Sequence, residues 1–232
     1  MTSFPDEQKR AVGEAAAELV QSGMIVGMGT GTTAVWFVRA LAQRMQTDKL
    51  DVRGIPTSSA TGQLAEVLGI PLLELNQVEI DLTVDGADEI GPGLQLIKGR
   101  GAALLREKLV WEASRRCVVI GDAGKRVARL GKQPLPIEVV AFGHESTARR
   151  ICDALAECDL GAAPRLRIRD GEVVITDGGN VIYDVVCGDI PEPSLLADAL
   201  KSVTGVVEHG LFLDLADEAL IGGEAGVERL AP

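Results

Sequence analysis

Aromatic side chains are scarce. Two Trp, one Tyr and four Phe make up 3% of the 232 residues, too few to build stacking platforms for nucleic-acid bases. Positive charge is also in deficit, with 23 Lys and Arg against 34 Asp and Glu and a formal net charge of −11. Nucleic acid and anionic membranes both need a basic face, so neither is an expected partner. No apolar run approaches the roughly 18 residues of a membrane span. The opening MTSFPDEQKR has neither a basic leader nor an apolar core of a signal peptide, so a cytoplasmic location is expected. The four cysteines, Cys117, Cys152, Cys158 and Cys187, show no CxxC spacing, and His144 and His209 are the only histidines. A zinc site is therefore not expected, and the cysteines read as buried thiols in a reducing compartment. What is present, 46% hydrophobic and 25% charged residues, suits a globular chain of one large domain or a main domain with a smaller one.

Along the chain the hydrophobic period alternates between helix and strand. Residues 6–21 place Val12, Ala15, Ala16, Leu19 and Val20 on one helical stripe, residues 24–28 read as a short buried strand, and a helix restarts over 33–45. Further strands are expected near 50–54, 71–75, 80–84 and 117–121, and helices near 61–68 and 102–114. This alternation predicts an α/β fold with a Rossmann-like, mostly parallel three-layer sheet. After Leu130 two prolines interrupt the pattern and strands crowd together. Strands are expected at 137–142, 165–169, 173–176, 181–186 and 206–208, with helices at 144–158 and 193–203 and a hairpin turn at Asp170-Gly171. That order, close to βαββαβ, predicts an inserted α+β (ferredoxin-like) domain. The expected division is therefore 1–130 with 205–232 for the α/β domain and 131–204 for the small one, with the tail 211–230 returning to the first sheet.

Three glycine-rich loops each follow an expected strand, which puts all three at the carboxyl edge of a parallel sheet, where ligands bind. In the first, Gly27-Met28-Gly29-Thr30-Gly31-Thr32-Thr33, backbone amides, hydroxyls and the start of the next helix suit a phosphate. A tight turn with a threonine N-cap explains the same residues without a ligand. Neither a Walker loop nor an intact GxGxxG is present, so nucleotide binding is weakly supported. The second loop, Asp85-Gly86-Ala87-Asp88-Glu89, gathers three carboxylates that suit proton transfer or polyol hydroxyls, though Asp and Gly also simply make turns. The third, Lys98-Gly99-Arg100-Gly101, opens a helix carrying Glu107. The neighbours of Glu107 at i±3 and i±4 are Ala103, Leu104, Val110 and Trp111, with no cation among them. Glu112, by contrast, has Lys108, Arg115 and Arg116 and reads as a solvated, paired carboxylate. A carboxylate against apolar surface has its pKa raised toward the range of a general base. Arg106 has equally apolar neighbours, so periodicity leaves open which of the two faces inward. Lys125, in Gly121-Asp122-Ala123-Gly124-Lys125, is a further candidate at the same edge. Together these groups suit proton transfer on a phosphorylated polyol or carbonyl compound.

These stretches also resemble the A-type ribose-5-phosphate isomerases. The resemblance is carried by VGMGTGTTA at 26–34, LTVDGADEI at 82–90, IKGRGAALLREKLV at 97–110 and VVIGDAGKRVARLGKQPLPIEV at 118–139. TDGGNVIYDV at 176–185 and, near the end, TGVVEHGLF with ADEALIG complete it. The resemblance implies interconversion of D-ribose 5-phosphate and D-ribulose 5-phosphate through a cis-enediol or enediolate, with no metal or organic cofactor and a homodimeric assembly. It makes Glu107 the base that moves a proton between C2 and C1. Thr30, Gly31, Thr32, Thr33, Asp85, Gly86, Ala87, Asp88, Lys98, Gly99, Arg100, Gly101 and Lys125 fall on its substrate-contacting motifs. Lys98 is the expected cation for the developing oxyanion, and Asp85 the expected acid for the hydroxyl protons. The cradle at residues 30–33 suits either phosphate or sugar hydroxyls, and Lys9, Lys125 and Arg100 are alternative charge partners for the phosphate. The chain departs from the family pattern at Arg100, where KGGGA is common, at Thr32, where serine is frequent, and at Gly124, where a small hydroxyl residue is often seen. A non-catalytic sugar-phosphate sensor and a nucleotide-dependent enzyme are the alternatives; a sensor would normally carry a DNA-binding helix-turn-helix, for which the residues before Met24 offer neither length nor charge.

Overall fold

The structure is a computed structural model and describes residues 4–76 and 78–232, with side chains from Asp6 onward. In chain order the elements begin α1 (Phe4–Ala17), β1 (Ile25–Met28), α2 (Ala34–Thr47), β2 (Arg53–Pro56), α3 (Ser59–Val67) and β3 (Leu82–Gly86). They continue β4 (Glu89–Ile90), β5 (Leu96–Ile97), α4 (Leu104–Glu112), β6 (Cys117–Asp122), β7 (Leu135–Val139), α5 (His144–Glu157) and β8 (Arg165–Leu166). The last are β9 (Ile168–Arg169), β10 (Glu172–Val173), β11 (Val181–Val185), α6 (Pro193–Ser202), β12 (Val206–His209), β13 (Leu211–Phe212), β14 (Glu218–Gly223) and β15 (Gly226–Leu230). The chain divides into two compact units, one of residues 1–87, 106–126 and 214–232, the other of residues 88–105 and 127–213.

The first unit is a six-stranded sheet in the order β15-β14-β6-β3-β1-β2, parallel except for the final β14–β15 hairpin. Its composition explains its layers. Val26, Met28, Leu82, Val84, Val118, Ile120 and Leu220 alternate onto one face and are sealed by Val12 and Ala16 of α1 and Phe37, Val38 and Leu41 of α2. Each fully buried side chain of this size contributes about 1.5–3 kcal/mol relative to exposure. The other face carries Ile55 and Ile80 with Val110 of α4. Gly27 is what brings α4 down onto this face, because a Cβ there would sit 1.8 Å from Thr83 Oγ1 and 2.8 Å from Val110 Cγ1.

The second unit holds a four-stranded antiparallel sheet in the order β12-β7-β11-β8, the ferredoxin-like order that βαββαβ connectivity gives. Leu135, Ile137, Val139, Val181, Tyr183 and Val185 pack beneath Ile151 and Leu155 of α5 and Leu196 and Leu200 of α6. The expected Asp170-Gly171 turn is present between β9 and β10, with φ of 54° and 83°, the left-handed pair a two-residue hairpin demands. A three-stranded sheet, β13-β5-β4, completes this unit.

Several expectations change: the strand at 165–169 is split into β8 and β9, and the one at 173–176 is reduced to Glu172–Val173. Residues 71–75 form no strand; Leu72 makes only a single bridge to Gly54. The expected strand at 80–84 runs instead from Leu82 to Gly86, so Asp85 lies within it. Of the tail, β14 and β15 join the first sheet, but Leu211 and Phe212 pair with Ile97 and Leu96. Among the described residues no helix is long and apolar enough to cross a membrane.

Candidate active site

The first unit assembles its candidate residues at the carboxyl ends of β1, β2, β3 and β6. After β1 the chain turns through Gly31 (φ 111°) into α2. A threonine cap does not explain this loop, because Thr33 makes no side-chain cap hydrogen bond. The backbone amides of Gly31, Thr32 and Thr33 donate to no protein acceptor among the described residues. Free amides at the start of a 14-residue helix form an anion cradle. Thr30 is tied down on both sides. Its amide donates to Asp85 Oδ1 at 3.0 Å. Its hydroxyl lies 2.7 Å from Thr57 Oγ1, 2.8 Å from Ser58 Oγ and 3.2 Å from Thr61 Oγ1.

Asp85 is fully buried, and its Oδ1 accepts from the amides of Thr30 and Gly86, the latter at 2.7 Å. Gly29 makes room for it, since a Cβ there would lie 2.1 Å from Oδ1 and 2.5 Å from the Asp85 Cα. Strand alternation puts Asp85 on the same face as Thr83, which is the face under α4. The direction of α4 follows from its far end: Ile80, just before β3, donates to the Ala113 carbonyl at 3.0 Å, so helix and strand run antiparallel. Val110 sits over Gly27 and Thr83. Glu107, one turn earlier and about 4.5 Å along the axis, therefore lies toward the end of β3 that carries Asp85. Burial settles the choice between its neighbours: Glu107 is 3% exposed and Arg106 is exposed, its guanidinium 3.4 Å from Ser59 Oγ. The buried face of α4 continues through Leu104, Val110 and Trp111.

Lys125 closes a 3-10 turn after β6 that Asp122 caps by accepting from the Gly124 amide at 3.0 Å. The lysine is half-buried and without an ion pair among the described residues. Because Gly86 pairs with Ile120, it stands at the same sheet edge.

The second unit holds Asp88, Lys98, Gly99, Arg100 and Gly101. Lys98 is 2% exposed, its amide donates to the Gly210 carbonyl at 2.9 Å, and its ammonium stands 5.3 Å from the centre of the Phe212 ring, a cation–π contact. Gly99 takes φ of 110° and a Cβ there would press on Leu104 and Pro136, so the turn is glycine's. Arg100 has no such demand, as its φ is not positive; the departure from the family's glycine costs no backbone strain. The Arg100 amide donates to Asp88 Oδ2 at 3.0 Å. A cavity of about 400 Å³ in this unit is lined by Asp88, Arg100, Arg167, Arg169 and Asp184 among others.

The three carboxylates of the second loop thus have separate tasks. Asp85 accepts from the amides of Thr30 and Gly86, Asp88 accepts from the Arg100 amide, and Glu89, buried, accepts from the amides of Gly131 and Gln133. Glu112 is exposed, but two of its expected partners are engaged elsewhere: Arg115 with Glu79 and Asp81, Arg116 with Glu218. All four cysteines are free; Cys117 alone is fully buried. Burial pushes the Cys117 thiol up to about 12 and that of Cys187 up to about 11. Sequence reasoning passed over Thr57, Ser58 and Thr61, whose signal was a run of hydroxyl residues after an expected strand, and the ion pair of Arg167 with Asp184. Lys9 lies on α1 with Asp6 at 3.8 Å.

Comparison with known proteins bears on this geometry. The family described as Ribose 5-phosphate isomerase A (phosphoriboisomerase A) matches residues 53–226. The Ribose-5-phosphate isomerase A of Caulobacter sp. (strain K31) is 68% identical over 228 residues, which cover 98% of this chain and 99% of that one. The solved ribose 5-phosphate isomerase from Plasmodium falciparum is 38% identical with a TM-score of 0.94, covering 98% of this chain and 99% of that one. A solved D-ribose-5-phosphate isomerase in complex with phospho-erythronic acid is 35% identical with a TM-score of 0.92, covering 99% and 100%. The sensor alternative finds no support among these relatives. With matching fold, matching motifs and near-complete coverage, the chain belongs to the ribose-5-phosphate isomerase A family.

Proposed function

We propose that the protein, an isomerase of D-ribose 5-phosphate and D-ribulose 5-phosphate in the non-oxidative pentose phosphate pathway, works with Glu107 as general base and Asp85 as hydroxyl-proton carrier. The observation that carries this reading is the placement of both buried carboxylates on one face of the sheet, at the carboxyl end of β3. Isomerisation moves one hydrogen from C2 to C1 and one from O2 to O1. Glu107 takes the C2 proton of the open-chain aldose, the C–H electrons form the C1–C2 double bond, and the carbonyl oxygen becomes an enediolate. The same carboxyl returns the proton to C1. Asp85 passes the hydroxyl proton from O2 to O1 and assists ring opening. The family resemblance gives Lys98 the role of cation for the enediolate oxygen. Burial of Glu107, 3% exposed, keeps water from competing for the proton in transit.

The substrate class is a pentose 5-phosphate, supported by the relative solved with phospho-erythronic acid. The unoccupied amides of Gly31, Thr32 and Thr33 are offered to its phosphate or hydroxyls, with Lys125 as a charge partner and Gly86, Ala87, Asp88, Gly99, Arg100 and Gly101 as further contacts carried by the family motifs. A homodimer and a cytoplasmic location belong to the same reading; sedimentation at micromolar concentration tests the first.

A coupled assay on ribose 5-phosphate in the presence of EDTA tests the activity. Wild type is expected to form the ketose undiminished by the chelator, and Glu107→Gln to bind substrate yet lose several orders of magnitude in turnover. Near-normal turnover by Glu107→Gln would remove the assignment.

A further inference from the structure

We propose that Arg167 is a positioning residue that fixes Asp88 and the 98–101 loop through the peptide bond between Gly99 and Arg100. The inference rests on the isomerase reading above and concerns residues of the second unit only. Arg167 leaves the ferredoxin-like sheet between β8 and β9, and its side chain is 11% exposed. Its guanidinium grips Asp184 with both edges of a fork, Nε donating to Oδ2 at 2.8 Å and Nη2 to Oδ1. The remaining nitrogen, Nη1, donates to the Gly99 carbonyl at 2.8 Å and to the Arg100 carbonyl at 3.3 Å.

The first of those carbonyls belongs to the same peptide group as the Arg100 amide, which donates to Asp88 Oδ2 at 3.0 Å. The contacts therefore form one chain: Asp184 carboxylate, Arg167 guanidinium, Gly99–Arg100 peptide, Asp88 carboxylate. A cation on a carbonyl draws electron density toward the oxygen and makes the amide of that peptide a better donor, so successive bonds strengthen one another. The second carbonyl belongs to the peptide whose amide is that of Gly101, so the same guanidinium polarises that donor as well.

The loop needs such a hold. It passes through left-handed backbone at Gly99 (φ 110°) and Ala102 (φ 63°), and a non-glycine residue there is sustained only by its surroundings. Lysine cannot replace arginine, since a single ammonium has no planar fork to engage Asp184 twice and two carbonyls at once. Arg167 touches no substrate in this account. It sets the direction in which Asp88 and the loop amides face.

The test is steady-state kinetics of Arg167→Lys and Arg167→Ala on ribose 5-phosphate, with thermal melting of each variant and a double-mutant cycle against Asp88→Ala. Misplacing a substrate-holding group by about 1 Å costs up to about 100-fold, so kcat/KM is expected to fall about 10-fold for lysine and about 100-fold for alanine, mainly through KM. Millimolar guanidinium is expected to restore part of the alanine variant's activity and to leave Glu107→Gln unchanged. In the Asp88→Ala background the loss from Arg167→Lys is expected to shrink, because the two residues act through one chain. Wild-type kinetics in Arg167→Ala overturn the proposal. So do additive losses in the cycle, or a loss that tracks a collapse in melting temperature and that guanidinium does not restore. Absence of any ketose formation by the wild type overturns the isomerase reading and, with it, this inference.

Discussion

In the first unit Oδ1 of Asp85 accepts from two main-chain amides, those of Thr30, in the loop after β1, and of Gly86, in β3. In the second unit Asp88 accepts from the Arg100 amide, whose peptide is gripped in turn by a side chain, Arg167, reaching 68 positions back along the chain to the Gly99 carbonyl. Main-chain donors come with the fold and survive almost any side-chain replacement around them. A guanidinium fork disappears with one codon. The comparison teaches that two carboxylates three residues apart, Asp85 and Asp88, depend on different parts of the sequence for their orientation.

The largest effect expected breaks the first unit's chemistry without touching its hold on Asp85. Glu107→Gln should lower kcat about 10²–10⁴-fold, the usual contribution of a positioned general base, while substrate still binds. Stopped-turnover assay and equilibrium binding read the two separately. Asp85→Asn should cost about 10²-fold in kcat. The asparagine carbonyl still accepts from the amides of Thr30 and Gly86, so the fall in kcat is expected to exceed what any fall in melting temperature accounts for. A drop in melting temperature large enough to explain the lost activity would show that the charge is needed to hold that side chain.

Gly29→Ala attacks the hold itself. The added Cβ meets Asp85 Oδ1 and Cα, and overpacking of this kind costs about 1–3 kcal/mol, visible in denaturant unfolding alongside a fall in activity. The smallest effect compares the units through their thiols. Cys117 lies in the first unit and Cys187 in the second, and burial holds both thiols above the ordinary range, to about 12 and about 11. The unfolded chain ionises near 9, so each folded thiol stays neutral while the unfolded one sheds its proton. Stability is therefore complete below about pH 9 and is lost as pH rises, by at most about 1.4 kcal/mol per pH unit for each thiol. Cys117→Ala should flatten that slope between about pH 9 and 12 more than Cys187→Ala does; equal slopes in wild type and both variants would contradict the assignment.

Much of this architecture is legible in the sequence because apolar period reports burial. The helix–strand alternation gave the parallel sheet, and the apolar neighbours of Glu107 marked a carboxylate that burial then confirms. Arg106 could not be separated from it on the same evidence. Both sit in an apolar stretch, and only the packing of Val110 against Gly27 and Thr83 decides which way the helix is turned. The two-residue strands β4, β5 and β13 are too short to show a period. Residues 71–75 look like a strand from their place in the helix–strand alternation, yet the ladder there stops after one bridge. The ion pair of Arg167 with Asp184 was invisible because its partners are 17 positions apart, one between β8 and β9 and the other on β11, and register across a sheet is set by tertiary pairing.

The order of pairing in the first sheet has a consequence for how the chain is made. Strand β6, with Val118, Val119 and Ile120 buried, lies against β14, and the Cys117 amide donates to Asp217, which emerges from the ribosome 100 residues later. At typical synthesis rates that interval lasts about 5–20 s. During it a nascent sheet presents an apolar strand with one side unpaired, the kind of edge that recruits neighbouring chains. Protection of that edge by a chaperone, or by slow emergence of the intervening residues, is a requirement the topology places on the cell rather than on the finished enzyme.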